Sequence, residues 1–297
     1  MTQIFQISAL FLMFIGSIAK TIIENHINNF SKRNRFILWS LYWVVMTGIL
    51  ISGVVEQIIV YKHQEYTKQQ NEMRREADVV FREGTKWFDL GINSSNISQL
   101  ENAIPHLQKA AELYHQIKGE KFNETSATAG IAFLREKIAH FGAKTGKVYK
   151  VQNQQIIQWN VEEGDTLDDK VDDDKQHSIR CTDINNSDSW GQASNYYNSS
   201  LELLKKINTD QYSSYSAYKS GLISAARNSG YFFLCDYLRK NDDKSKYLAK
   251  EAFELAYLIA KEKQLEYRMK DLKEKLNFVE VLEKNPNIKQ KNSKKKE

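Results

Sequence analysis

Apolar positions in this chain follow two regimes. Near the N-terminus they run almost without interruption, from Ile4 to Ile23 and again from Ile37 to Val55. After about residue 62 they become periodic and alternate with charged and polar positions. A helix rises about 1.5 Å per residue, so ~20 apolar residues cross a ~30 Å hydrocarbon layer. The stretch Ile37–Val55 is nineteen residues with no charge, which meets that test. The first stretch is broken by Gln6 and ended by Lys20, whose ammonium can reach the interface on its own stem. Trp39, Tyr42 and Trp43 open the second stretch and Tyr61 lies near its far end, an arrangement suited to interfacial aromatic belts.

The first stretch has no basic residue before Lys20 and no small-x-small cleavage pattern, so it reads as retained rather than as a leader. Residues 24–35 then form a turn, and residues 1–61 a two-helix transmembrane anchor. Basic residues flank both the turn (Lys32, Arg33, Arg35) and the exit of the second helix (Lys62, Lys68, Arg74, Arg75). The turn is denser, which leans toward a cytoplasmic turn and an extracytoplasmic domain. The expected location is the inner (plasma) membrane of a bacterium. Gly48 and Ser52, four apart, permit close helix packing in the bilayer.

No Pro or Gly interrupts residues 54–83. The second apolar helix is therefore expected to continue as a stalk, residues 62–83. Beyond it a pattern recurs. Gly84-x-x-Trp87-Phe88, Gly130-x-x-Phe133-Leu134 and Gly230-x-x-Phe233-Leu234 share one signature. Each is followed downstream by a second: Ala103-x3-Leu107-x2-Ala110, Ala193-x3-Tyr197-x2-Ser200 and Ser245-x3-Ala249-x2-Ala252, with Glu-Leu at a fixed offset after each. A Gly on one helix lets the next approach closely, and positions three and four apart extend one apolar face.

These signatures resemble the tetratricopeptide repeat over about residues 80–260. The resemblance implies stacked helix pairs. It departs from the family in lacking the closing Pro and the aromatic and Leu upstream of each Gly, and in its longer spacings. The family's peptide-binding residues therefore transfer to no position here. The implied fold is an all-α membrane protein: an N-terminal transmembrane helical hairpin, then a TPR-like helical-repeat soluble domain over 84–282 with a small irregular or β insertion at about 144–190.

Within that insertion, Val148, Val151, Ile156, Ile157, Trp159 and Val161 suggest a β-hairpin. Eight acids against one Lys fill residues 162–174 without the spacing or central Gly of a calcium loop, which favours a solvated loop. Residues 185–189 read as further loop. Leu265, Met269, Leu272, Leu276 and Val279 make a seam spaced four, three, four, three, suited to a capping helix or an oligomerisation helix. The basic tail, 283–297, reads as unstructured.

Net charge is +5, carried in separate acidic and basic blocks rather than in a basic stripe with interleaved aromatics. Nucleic-acid binding is therefore not expected. Cys181 and Cys235 are the two cysteines. They could pair in an oxidising compartment, but free thiols are the favoured reading. No phosphate-binding glycine loop, H-E-x-x-H, C-x-x-C or nucleophile elbow occurs. No catalytic residue, cofactor or metal site is expected, and no enzyme.

Two classes of function remain. One is a membrane-anchored interaction scaffold, or a subunit of a membrane complex, whose helix stack binds a protein partner. The other is a ligand- or partner-triggered effector that oligomerises to perturb the bilayer. Both involve membrane lipid, and the second requires a homo-oligomer.

Overall fold

The computed structural model describes scattered residues between 14 and 25, then residues 31–161, 178–207, 216–262 and 264–290. The acidic run 162–174 and the end of the basic tail lie outside the described residues. The chain is mostly helical, with a small three-stranded sheet and one long apolar helix. It divides into two units, Met1–Asn71 and Glu72–Glu297.

In the first unit, residues 16–18, 20–21 and 24–25 are helical. Helix α1 spans Lys32–Ser94. It is long and apolar enough to cross a membrane, and its most apolar window has no buried residue. Trp43, Val44, Leu50, Ile51, Val54 and Ile59 are all more than half exposed. The expected end of the stalk at residue 83 is not a helix end. With no breaker before Ser95, which takes a positive φ of 49°, the helix continues through Gly84 and Trp87.

The second unit is built from helices joined by short capped turns. Helix α2 is Ile97–Gln116, opened by Asn96, whose side chain accepts from the backbone N–H of Ser98 and Gln99. Helix α3 is Lys121–Ala139, α4 is Ser187–Lys205, α5 is Ser216–Lys240, α6 is Asp243–Glu262 and α7 is Glu266–Lys284. Asn241, at φ 55°, ends α5, and Asp242 then accepts from the Lys244 and Ser245 N–H groups to start α6. Asn186 caps α4 at Ser189, so the stretch 185–189 holds a helix start as well as loop.

Between α3 and α4 lies an antiparallel sheet in the order β3-β1-β2: β1 is Gly146–Gln152, β2 is Gln155–Val161 and β3 is Ser178–Thr182. Asn153 and Gln154, both at positive φ, make the two-residue turn that closes the hairpin. A two-residue strand, β4 (Lys289–Gln290), pairs with β2 in parallel and gives order to part of the expected unstructured tail.

Side chains alternate across a strand, and paired residues share a face. Tyr149 sits opposite Ile179 and Gln158, Val151 opposite Ile156, and Lys147 opposite Cys181. Tyr149, Ile156, Ile179 and Cys181 are buried on that face, in the main core. The core continues into α4, α5, α6 and α7 through Trp190, Tyr197, Phe232, Phe233, Phe253, Leu272 and Val279. Thus the α7 seam is partly spent within the domain: Leu272 and Val279 are fully buried and Leu265 remains exposed.

Candidate functional site

One edge of the sheet meets the C-terminal half of α5, and there polar side chains converge. The strand period brings Lys147 and Tyr149 of β1 to the face shared by Cys181 of β3. On α5, Cys235 and Arg239 lie four apart, one helical turn, and so address the same edge. Cys181 and Cys235 are joined by a disulfide, with Cα atoms 5.5 Å apart. This corrects the free-thiol expectation. The two residues are 54 apart in sequence, but strand pairing places Cys181 within the narrow Cα window that a bridge requires.

Beside the bridge is a cavity of about 240 Å³ lined by Lys147, Tyr149, Cys181, Asp183, Ile184 and Arg239. Arg239 lies over the indole of Trp190, 4.4 Å from guanidinium carbon to ring centre. Its Nη2 donates to the Thr182 carbonyl. Its Nη1 is buried with no hydrogen-bond partner. Burial pulls the Arg239 pKa below its ordinary value.

The surrounding acids are committed elsewhere. Asp236 accepts from Trp190 Nε1 at 2.7 Å and from Ser245 Oγ at 2.8 Å, and it pairs with Lys240. Glu136 accepts from the Tyr197 hydroxyl at 2.5 Å. Asp183 accepts from Thr145 Oγ1 through Oδ2 at 2.5 Å, and its carbonyl accepts from His140 Nδ1 at 2.9 Å. Burial raises the pKa of Glu136 and lowers that of His140, so both favour their neutral forms.

The residues singled out from the sequence lie apart from this cavity. Gly84 lies against Leu107, where a Cβ would come within 2.8 Å. Trp87 packs on the cluster that holds Ala103 and Leu107, and Ala110 is buried in a neighbouring cluster. Gly230 faces Phe253 at 2.6 Å on the same terms. Gly130 differs: it approaches Leu107 of the preceding helix, at 3.3 Å, rather than the downstream signature at Ala193 and Tyr197. The Phe133 ring lies 5.8 Å from that of Phe88. Ala193, Tyr197, Phe233, Ala249 and Ala252 are all buried in the main core.

In the first unit, Trp39, Tyr42 and Trp43 form a run of edge-on rings with centres 5.7 Å and 5.9 Å apart. Tyr61 is exposed, and Lys20 pairs with Glu24 at 3.8 Å. The cavity's four polar members carry no sequence motif. Among the described residues, no cluster of His, Cys, Asp and Glu could hold a metal ion.

No family model matches the chain, and no curated protein matches it. Among solved structures the chain is similar to one titled "DHF58 filament", at 11% identity and a TM-score of 0.29 over 94% of this chain and 96% of that one.

Proposed function

We propose that this chain is a membrane-anchored interaction scaffold that holds its helical domain outside the cytoplasm for a protein partner. The observation that carries the reading is the exposed apolar window of α1. Eleven large apolar side chains between Ile37 and Ile59 are 46% exposed or more, which water does not favour. Lipid would cover them. Gly16 supports pairing with a second helix, since a Cβ there would come within 2.9 Å of Met46 Sδ. A small residue at a helix contact is what close packing in a bilayer uses.

The disulfide supports the outward side. Such bonds persist in oxidising compartments and are rare in the cytosol. Helix contacts at Gly84–Leu107 and Gly230–Phe253 are the kind that a stack of repeat pairs would use.

The test has three parts. Membranes carrying the protein are extracted with alkaline carbonate, and the chain is expected in the pellet. Intact spheroplasts are then treated with protease, and cleavage of the region after residue 72 is expected. Finally, the solubilised protein is purified after crosslinking, and a specific co-purifying protein is expected. Alkaline release would defeat the anchor, full protection from protease the sidedness, and recovery of the bait alone the scaffold. A homo-oligomer without a partner, accompanied by leakage of membranes, would instead support a bilayer-perturbing effector.

A further inference from the structure

The two edges of the sheet are closed by different means. The two-residue turn makes Gln152 and Gln155 the closing pair of the hairpin, and hydrogen-bonded pairs alternate from there. The backbone groups of Ile157, Trp159 and Val161 therefore face β1, and those of Ile156, Gln158 and Asn160 face outward. By the same alternation Ser178 and Thr182 of β3 face away from β1. There the Ser178 carbonyl accepts from Lys275 of α7 at 3.5 Å, and the Thr182 carbonyl accepts from Arg239 of α5. Side chains thus cover the β3 edge. The β2 edge is met by backbone, and β4 pairs with two of its seven residues, Ile157 and Gln158. An open strand edge is a template for adding another strand.

The chain leaving α7 is steered onto this edge. Asn285 donates through Nδ2 to the Gln154 carbonyl at 2.9 Å, and Ile288 packs against the main core. The register then sets Gln290 beside Gln158. Counting two residues each way matches Ile288 with Ile156 and Asn292 with Asn160. Both segments therefore carry one pattern, Ile-x-Gln-x-Asn, at matching positions. In parallel strands of matched register like side chains stack on like, and Asn and Gln form hydrogen-bonded ladders. The match extends to charge: Lys294 and Lys295 fall level in the count with Glu162 and Glu163, which follow Val161 in sequence.

We propose that residues 291–293 continue β4 along β2, so that the outer edge at Asn160 is the docking site for this segment of the same chain. The Lys291 carbonyl accepts from the Asn160 N–H, and the Ser293 N–H donates to the Asn160 carbonyl. The Asn292 side chain stacks on that of Asn160. The strap closes the remaining stretch of the β2 edge against strands of other molecules. It does not depend on the scaffold reading.

The experiment is hydrogen exchange of the full chain in detergent, read at single amides by fragmentation mass spectrometry. Deleting residues 291–297 is expected to speed exchange of the Asn160 amide about tenfold, the factor that one net hydrogen bond corresponds to. The amides of Ile157 and Trp159, which face β1, are expected to keep their rates and so report an intact hairpin. Lys291→Pro, which removes the N–H aimed at the Gln158 carbonyl, is expected to reproduce the deletion. Lys291→Gln, which removes charge alone, is expected to keep the protection. Should the deletion loosen the whole hairpin, the contrast between these two variants decides. Protection is expected to be independent of protein concentration. Equal Asn160 rates in the full and shortened chains would overturn the proposal, as would protection retained in Lys291→Pro. Protection that fades on dilution would also overturn it, by assigning the edge to the segment of a second copy.

Discussion

Trp190 donates its indole N–H to the Asp236 carboxylate across 2.7 Å, and both side chains are buried. The pair ties the first turn of α4 to the last third of α5. The other Asp236 oxygen accepts from Ser245 at the start of α6, so a single carboxylate fastens three helices. The Trp190 ring, held at this angle, stacks on Phe232 with centres 4.1 Å apart and presents its other surroundings to Arg239 and His140.

Replacing Asp236 should therefore cost more than its size suggests. Asp236→Ala leaves the Trp190 N–H buried and unpaired, at about 2 kcal/mol, whereas the Ser245 hydroxyl keeps Asp242 Oδ2 as an acceptor at 2.9 Å. The exposed Lys240 adds little, because surface ion pairs contribute about 0–1 kcal/mol. Asp236→Asn keeps one acceptor for Trp190 and should lose roughly half as much. Thermal unfolding of the two variants and the parent in one detergent checks the order. Equal midpoints for Ala and Asn would show that the hydrogen bond to Trp190 contributes nothing.

Reduction of Cys181–Cys235 should loosen the same region. A bridge between residues 54 apart restrains the unfolded chain by an entropy equivalent to about 4 kcal/mol. For a domain of this size the thermal midpoint should fall by on the order of 10 °C with dithiothreitol. Cys181→Ser with Cys235→Ser should show the low midpoint without reductant and no further change with it. An unchanged midpoint in the double variant would mean that the bridge is not formed in the native protein.

Nothing local in the sequence marks this bridge, whereas the hairpin beside it has a local signature. Strand β1 and strand β2 announce themselves through local alternation of Val148, Val151, Ile156 and Trp159, and through a two-residue gap that only a tight turn can span. The pairing of β1 with β3 has no local signature, because residues 162–177 separate β3 from β2. The same holds for the cavity. Lys147, Asp183 and Arg239 meet only after a strand edge, a loop and a helix turn have been assembled. Long helices were legible because apolar periodicity is local, and so was the apolar run of α1. Gly130 shows the limit of repeat reasoning. Its signature matches those of Gly84 and Gly230, yet its neighbour is Leu107, on the helix before it rather than on the one after.

Two glycines, each inside a helix, should respond oppositely to alanine. At Gly230 a Cβ would lie 2.6 Å from the Phe253 ring, which is itself fully buried and cannot retreat. Gly230→Ala should destabilise by about 1–3 kcal/mol through overpacking. At Gly191, an exposed position on helix α4, a Cβ would meet nothing within 4 Å. Gly191→Ala should stabilise by about 0.5–1 kcal/mol, since alanine loses less backbone freedom on folding. Thermal midpoints above the parent for Gly191→Ala and below it for Gly230→Ala are expected. A neutral Gly230→Ala would mean that the α5–α6 contact has slack there.

Acid should act on α3 through two groups with opposite signs. Glu136 is driven above its ordinary 4.5 by burial, against the lowering effect of the Tyr197 hydrogen bond, Lys137 and Arg239. Its folded form binds protons that the unfolded chain has released. Its contribution to stability is therefore full below 4.5 and is lost as pH rises through the raised folded value. His140 is driven below its ordinary 6.5 by burial first, then by Arg239 and Lys137, against the raising effect of the Asp183 carbonyl. Here the unfolded chain binds the extra proton. The His140 contribution is full above 6.5 and is lost as pH falls through the depressed folded value. Where the span above 4.5 governed by Glu136 meets the span below 6.5 governed by His140, the two slopes oppose each other and partly cancel. Glu136→Gln should remove the falling slope and make the protein visibly more acid-sensitive over that window. His140→Gln should remove the rising slope, so that stability declines toward neutral pH. Thermal midpoints of parent and both variants at half-unit steps from pH 5 to 8 check the signs, and parallel curves for all three would show that neither side chain titrates differently in the folded chain.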